Sequence, residues 1–369
     1  MKIATLVGPA HPRRFDRSRG RGRARALRAA LVGATAAAVA AVFAGCGQPT
    51  VALPSAHADP VDLAEASGWD WVGPTAVVAS RAVTPGDPAS RYQLIVFDLA
   101  AGSSRPIELP SVDGCARTDF LLPSRATDGS VVAIRRCIPT AATGDWPTWV
   151  VAVDLERSTV TELTPDLSPG KVLNVSSLTW SAEAHLGVLA FGSVICQTLA
   201  VASDRGLEPL DIVVTDDMAF NVGDRLRGGL TGDCADTGQA DHPSLGIGGL
   251  LAFEASTAAM GKDGDERLRA PASLYLSSPA GDPVRRLVRS RAPLSGVAVS
   301  PDGRCIAVGG DLGDLGSGTF LIDADGSNPR RILASPVNPR WKPDGSAVGG
   351  FLGPTDAGPR GLTWAEAQC

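Results

Sequence analysis

Short apolar runs, each ended by a polar or glycine-containing turn, recur from about residue 66 to the C-terminus. The clearest stretch lies late in the chain. Ser295-Gly296-Val297-Ala298-Val299 runs into the turn Pro301-Asp302-Gly303, and Cys305-Ile306-Ala307-Val308-Gly309-Gly310 returns. Gly318-Thr319-Phe320-Leu321-Ile322-Asp323 and Arg330-Arg331-Ile332-Leu333 follow, divided by Asp325-Gly326-Ser327-Asn328-Pro329. Aspartate and glycine suit tight reversals, because glycine accepts positive φ and aspartate bonds its own backbone. The pattern predicts four short antiparallel strands. It restarts at Arg340-Trp341-Lys342-Pro343-Asp344-Gly345, where Asp344 follows Asp302 by 42 residues.

Looser copies lie upstream. They are built on Trp69-Asp70-Trp71 with Tyr92–Leu99, on Asp119–Leu122 with Thr148–Leu155, on Leu178–Ser181 with Leu199–Ala202, and on Ser244–Ile247 with Ser273–Ser277. The third strand repeats best, closing on a polar turn at Asp98, Asp154 and Asp323. A spacing of 40–50 residues is a propeller-blade period. So small a unit cannot cover both faces of its sheet, and radial packing of copies covers them. We therefore expect an all-β chain forming a six-bladed β-propeller, with seven blades less favoured. A pair of β-sandwiches accounts for the strands but not for six spaced copies. The last unit has a third strand at Gly361–Glu366 and no residues for a fourth, so a strand near Thr50-Val51-Ala52-Leu53 is expected to close the ring. The Asp-Gly turns of residues 295–350 and the strand order resemble the TolB-like and WD40-like propeller repeats of bacterial envelope proteins.

The N-terminal end has another pattern. Residues 1–28 are basic, and Ala29–Gly45 is apolar apart from Thr35, which reads as an export signal. It ends in Phe43-Ala44-Gly45-Cys46, which resembles the bacterial lipobox, with Phe43 where leucine is usual. That resemblance implies that Cys46 receives a diacylglycerol and becomes the mature N-terminus. A plain secreted protein or an uncleaved anchor is the competing reading. The Ala/Gly/Pro/Arg/Asp bias is similar to that of high-GC actinobacterial chains. The expected organisation is a signal peptide at 1–45, a lipidated cysteine and flexible tether at 46–62, and the propeller at 63–369. The expected location is the outer face of the cytoplasmic membrane.

Charge and cysteines sharpen this picture. The net charge of -5 averages a leader of +8 and a remainder near -13, which excludes a nucleic-acid binder of the usual basic kind. Setting Cys46 aside leaves Cys115, Cys137, Cys196, Cys234, Cys305 and Cys369. Pairing by proximity gives 115–137, 196–234 and 305–369, the last clamping the ring's seam. None is a CxxC, which disfavours redox or zinc chemistry.

Catalytic signals are sparse. His57 falls in the tether, His185 in a turn, and His242 in the loop-like Asp241-His242-Pro243-Ser244. A Gly-x-Ser-x-Gly elbow is missing from the sequence. Acids cluster in Asp311–Asp314 and Asp323–Asn328, and calcium prefers oxygens at alternate positions. The first cluster is too sparse, and the second lacks a distal glutamate and fits the turn between third and fourth strands, so no cofactor is expected, calcium being the alternative. Trp69, Trp71, Trp180, Trp341 and Trp364 fit core positions. Trp146 and Trp149, flanking Pro147, are candidates for partner contact. So are Asp216 and Asp217, in an acidic insertion spanning Val213–Asp241. The function expected is a non-enzymatic module binding a protein or cell-envelope component. The alternative is a propeller enzyme of the lyase, lactonase or glycoside hydrolase type, with carboxylates at the channel mouth.

Overall fold

The computed structural model describes residues 57–59, 66–87, 89–140, 146–168, 174–193, 196–215, 220–223, 238–256, 271–352 and 361–369. In chain order, β1 (His57–Asp59) precedes blade 1, formed by β2 (Ala66–Gly73), β3 (Ala76–Ala82), β4 (Tyr92–Asp98) and β5 (Ser103–Pro106). Blade 2 is β6 (Cys115–Arg125), β7 (Val131–Pro139), β8 (Thr148–Asp154) and β9 (Thr159–Glu162). Blade 3 is β10 (Val175–Ser181), β11 (Leu186–Ser193), β12 (Cys196–Ser203) and β13 (Gly206–Pro209), followed by a hairpin of β14 (Val213–Val214) and β15 (Phe220–Asn221). Blade 4 is β16 (Gln239–Leu245), β17 (Leu251–Ser256), β18 (Ala272–Ser277) and β19 (Arg285–Ser290). Blade 5 is β20 (Gly296–Val299), β21 (Cys305–Asp311), β22 (Ser317–Asp323) and β23 (Arg330–Leu333). Blade 6 comprises β24 (Arg340–Trp341), β25 (Ala347–Leu352) and β26 (Gly361–Glu366). Its fourth strand is β1, paired antiparallel to β26 with His57 opposite Trp364. The chain is thus a six-bladed β-propeller.

Ring closure follows the expected logic at a different place. The closing strand is His57–Asp59 rather than Thr50–Leu53, so residues read as tether join the ring. Thr50–Leu53 lie outside the described residues.

The middle strands are buried on both faces, and the outermost strands are more exposed. Val131, Val132, Ala133 and Ile134 of β7 are all buried, whereas every residue of β5 is exposed. That is why the middle strands read as unbroken apolar runs. The buried side chains form a cluster at each blade boundary. Val132, Ile134, Leu178 and Phe191 meet between blades 2 and 3, and Leu274, Val297, Ile306 and Phe320 between blades 4 and 5. The boundary between blades 6 and 1 is aromatic instead, with Trp69, Trp71, Phe351 and Trp364 packed together and Trp69 edge-on to Phe351 at 4.8 Å. Lys342 caps it, its Nζ lying 3.8 Å from the Trp364 ring centre and 5.1 Å from that of Trp71.

The Asp-Gly turns join first to second strands. Asp302 and Asp344 accept the N–H groups of Arg304 and Ser346, and Gly303 and Gly345 take φ near 72° and 71°. Asp323 and Asp325, considered for calcium, are engaged by Ser327 and Asn328 across the turn before β23. Disulfides join Cys115 to Cys137 and Cys305 to Cys369, as proximity pairing expects. The second ties the C-terminal residue to blade 5, beside the closing blade. Cys196 begins β12 and Cys234 lies outside the described residues. The acidic insertion is not simply a solvated loop. Val214, Phe220 and Val222 are buried against blades 3 and 4.

Candidate functional site

The channel at the propeller axis holds the chain's unusual chemistry. Each innermost strand contributes one residue at matching register: Asp70 opposite Val78, Ser124 opposite Val132, Thr179 opposite Val188, Ser244 opposite Ala252, Ala298 opposite Ala307 and Arg340 opposite Gly349. All six line one cavity of about 90 Å³, near the first-to-second-strand turns. The side chains lace neighbouring blades together. Asp70 Oδ2 accepts the Arg125 N–H (2.7 Å), Thr179 Oγ1 accepts the Leu245 N–H (3.0 Å), and Ser244 Oγ accepts the Val299 N–H (2.9 Å). In each case a residue of one blade takes the N–H that follows the equivalent position in a neighbouring blade.

Asp70 and Arg340 are the charged members of this ring. Asp70 Oδ1 also accepts the Trp71 N–H at 2.8 Å. Burial lifts the Asp70 carboxyl above the usual range, and the Arg340 charge and the two backbone N–H groups oppose that rise. Burial likewise pushes the Arg340 guanidinium down, opposed by Asp70. Arg340 Nη1 donates to Asn338 Oδ1 (3.1 Å) and to the Pro339 carbonyl (3.0 Å), while its buried Nε has no hydrogen-bond partner among the described residues.

A second cluster lies on β16. His242 is not in a loop, as its neighbours Asp241 and Pro243 suggest. It sits in a β-bulge, where Asp241 pairs with Glu254 and Ser244 with Ala252, and its φ is 50°. His242 Nδ1 lies 2.8 Å from Glu254 Oε2, and its Nε2 is 3.9 Å from Asp241 Oδ2. Glu254 Oε1 accepts the Leu294 N–H (3.0 Å), from the segment leading into blade 5. The Gln197 amide, with its nitrogen toward Asp241, donates to Asp241 Oδ1 at 2.7 Å from blade 3. Burial works against the charged imidazole, but the Asp241 charge and the Glu254 hydrogen bond outweigh it and raise its pKa to about 9. At neutral pH His242 is an imidazolium between two carboxylates. It has no lone pair for a metal or for general-base catalysis. Among the described residues, no group of three or more His, Cys, Asp or Glu side chains is placed so that it could hold a metal ion.

Other sequence candidates fall elsewhere. Trp149 is half-buried beneath the Arg135 guanidinium, 4.7 Å from its ring centre, and Arg135 also pairs with Glu162. Trp146 is half-buried, with Arg136 at 5.7 Å. Both belong to the outer part of blade 2, away from the channel. Trp69, Trp71, Trp180 and Trp341 are core residues as expected. His185 is a turn residue with φ of 49°. Cys46, Asp216 and Asp217 lie outside the described residues. Sequence reasoning missed Asp70 and Arg340 as partners. The available signal was the repeated x-Trp pair, Asp70-Trp71, Thr179-Trp180 and Arg340-Trp341, whose first member varies in charge.

No protein-family model and no curated protein sequence matches the chain. Solved propellers resemble it at low identity. The β-propeller domain of the Trilobed protease from Pyrococcus furiosus is 12% identical, covering 82% of this chain and 83% of that one at a TM-score of 0.45. An α-L-arabinofuranosidase from Fusarium graminearum is 10% identical, covering 85% and 97% at 0.49. An oligogalacturonate lyase in complex with manganese is 12% identical, covering 80% and 74% at 0.45. Enzymes and the propeller domain of a protease both occur among these likenesses, and none carries an activity over to this chain.

Proposed function

We propose that this chain is a non-enzymatic binding propeller of the TolB-like kind, held by a lipid on Cys46 at the outer face of the cytoplasmic membrane, where it engages a protein or cell-envelope component. One observation carries the non-enzymatic reading: the one carboxylate of the channel and the histidine of β16 are both engaged by the chain's own blades. Asp70 takes two backbone N–H groups, and His242 is clamped as an imidazolium by Asp241 and Glu254. The cavity, at about 90 Å³, is also well below the roughly 300–1,000 Å³ of ordinary ligand pockets. The rim of blade 2 at Trp146 and Trp149 supplies aromatic surface for a partner, and the leader followed by Cys46 supplies the address. The test is mass spectrometry of the membrane fraction together with crosslinking in intact cells. A diacylglyceryl group on Cys46, and crosslinked partners that disappear with Cys46→Ala, are expected. An unmodified Cys46, or partners unchanged by that substitution, overturns the anchored reading.

A second reading draws on the convergence of Asp241, His242 and Glu254: an enzyme of the lyase, lactonase or glycoside hydrolase type. It requires turnover of a uronate, lactone or glycoside that falls at least a hundredfold in Glu254→Gln while the fold survives.

A further inference from the structure

The axial cavity differs in charge from the domain around it. Its charged lining residues are Asp70, Arg125 and Arg340, a net positive set inside a chain whose residues after 45 carry about -13. Clefts of one sign with low-dielectric walls concentrate oppositely charged ligands. Two features make this lining a set of unused donors. The first is the pair of guanidinium groups. Arg340 uses only Nη1, and its buried Nε is orphaned. The Arg125 side chain has no hydrogen bond among the described residues, and Asp70 and Asp128 act on it only through space. Arg340 Nη2 makes no hydrogen bond among the described residues, and it is this open donor, not the enclosed Nε, that a ligand in the cavity can satisfy.

The second feature is the row of hydroxyls. Thr179 and Ser244 accept backbone N–H groups, which leaves their own O–H free to donate, and Ser124 has no hydrogen bond among the described residues. The single carboxylate in the lining, Asp70, is turned toward the N–H groups of Trp71 and Arg125. Acceptors are thus engaged and donors are open. Planar guanidinium forks match carboxylates in geometry as well as charge.

We infer that the axial cavity is a carboxylate-binding site, in which Arg340 and Arg125 meet the anion and the Ser124, Thr179 and Ser244 hydroxyls complete its shell. The volume admits a carboxylate on a short stem. The carboxylate belongs either to a small free acid or to the end of a partner's chain. This inference does not depend on lipid anchoring.

The test is calorimetric titration of the full-length, disulfide-bonded chain at fixed ionic strength with acetate, trialanine and trialanine amide. Saturable binding of acetate or trialanine is expected, weakened at least tenfold by Arg340→Gln and by Arg125→Gln. It is expected to be unchanged by Arg105→Gln on the exposed rim of blade 1. If Arg340→Gln fails to fold, Arg125→Gln and Ser124→Ala carry the test. Acetate binding identifies a free acid as the source; binding of trialanine alone, with the amide silent, identifies a chain terminus. The inference is overturned if neither acid saturates, if the amide binds as well as the acid, or if the cavity variants that fold bind like the wild type.

Discussion

Blades 2 and 4 carry the same backbone device with different contents. Phe120-Leu121-Leu122-Pro123-Ser124 and Ala240-Asp241-His242-Pro243-Ser244 occupy corresponding stretches of innermost strands. In both, the register slips by one residue: Leu121 pairs with Ile134 and Ser124 with Val132, Asp241 with Glu254 and Ser244 with Ala252. Leu122 and His242 share a φ of 50°. In blade 2 the pair flanking the bulge is Leu121 and Ile134, and Leu122 packs beside the same cluster. In blade 4 it is two carboxylates bridged by an imidazolium. The bulge is therefore a feature of the repeat, and the ionic cluster is an addition to it. The addition reaches Gln197 in blade 3 and the Leu294 N–H before blade 5 by hydrogen bonds, where the aliphatic version meets blades 1 and 3 by packing alone.

Breaking the ionic version from one side should have the largest effect. Glu254→Leu strands the imidazolium and the Leu294 N–H together, and a loss of about 3–5 kcal/mol in urea denaturation is expected. Rewriting blade 4 toward blade 2 should cost much less. In Asp241→Leu/His242→Leu/Glu254→Gln the glutamine keeps an acceptor for Leu294, and the total loss should stay below that of Glu254→Leu alone. A triple variant as unstable as the single one would show that the charges themselves hold the blades together.

The pH dependence separates the two bulges further. The folded pKa of His242, about 9, lies above the ordinary value of 6.5. Its contribution is full below pH 6.5 and is lost as the pH rises through about 9. The linked stability is at most about 3 kcal/mol, read as the drop in unfolding free energy between pH 6 and pH 10. The triple variant should lose this drop. Leu122→His places the same side chain on the same backbone without carboxylates. There burial favours the neutral ring, so that variant should lose about 1–2 kcal/mol near pH 7 and more as the pH falls below 6.5. Opposite pH slopes from one residue type at two equivalent positions would assign the effect to the flanking pair.

Much of the ring is written in the local pattern. The hairpins at Asp302-Gly303 and Asp344-Gly345 and the third strands ending at Asp98, Asp154 and Asp323 follow from neighbours in sequence, and each bridged cysteine, Cys115 with Cys137 and Cys305 with Cys369, pairs with the next cysteine along the chain. What escaped depends on distant partners or on backbone alone. β1 has three residues and pairs by main-chain bonds with β26, so no apolar alternation marks it off from the preceding tether. Asp241 and Pro243 look like turn residues, and only the shifted pairing with β17 shows that His242 lies inside a strand. Asp70 and Arg340 sit at opposite ends of the ring's sequence. Their meeting requires the circle to close, which no local window contains.

The smallest expected effect concerns the prolines. Pro123 and Pro243 each follow the left-handed residue at a point where the ladder is interrupted, so the missing N–H removes no ladder bond. If the bulge is common and only its contents differ, Pro123→Ala and Pro243→Ala should cost the same, about 0.4–1 kcal/mol, mainly through the freer unfolded chain. Their pH slopes should also match the parent's. A Pro243→Ala loss several times larger, with a flattened alkaline slope, would mean that this proline holds His242 between its carboxylates. The two bulges would then differ in backbone as well as in side chains.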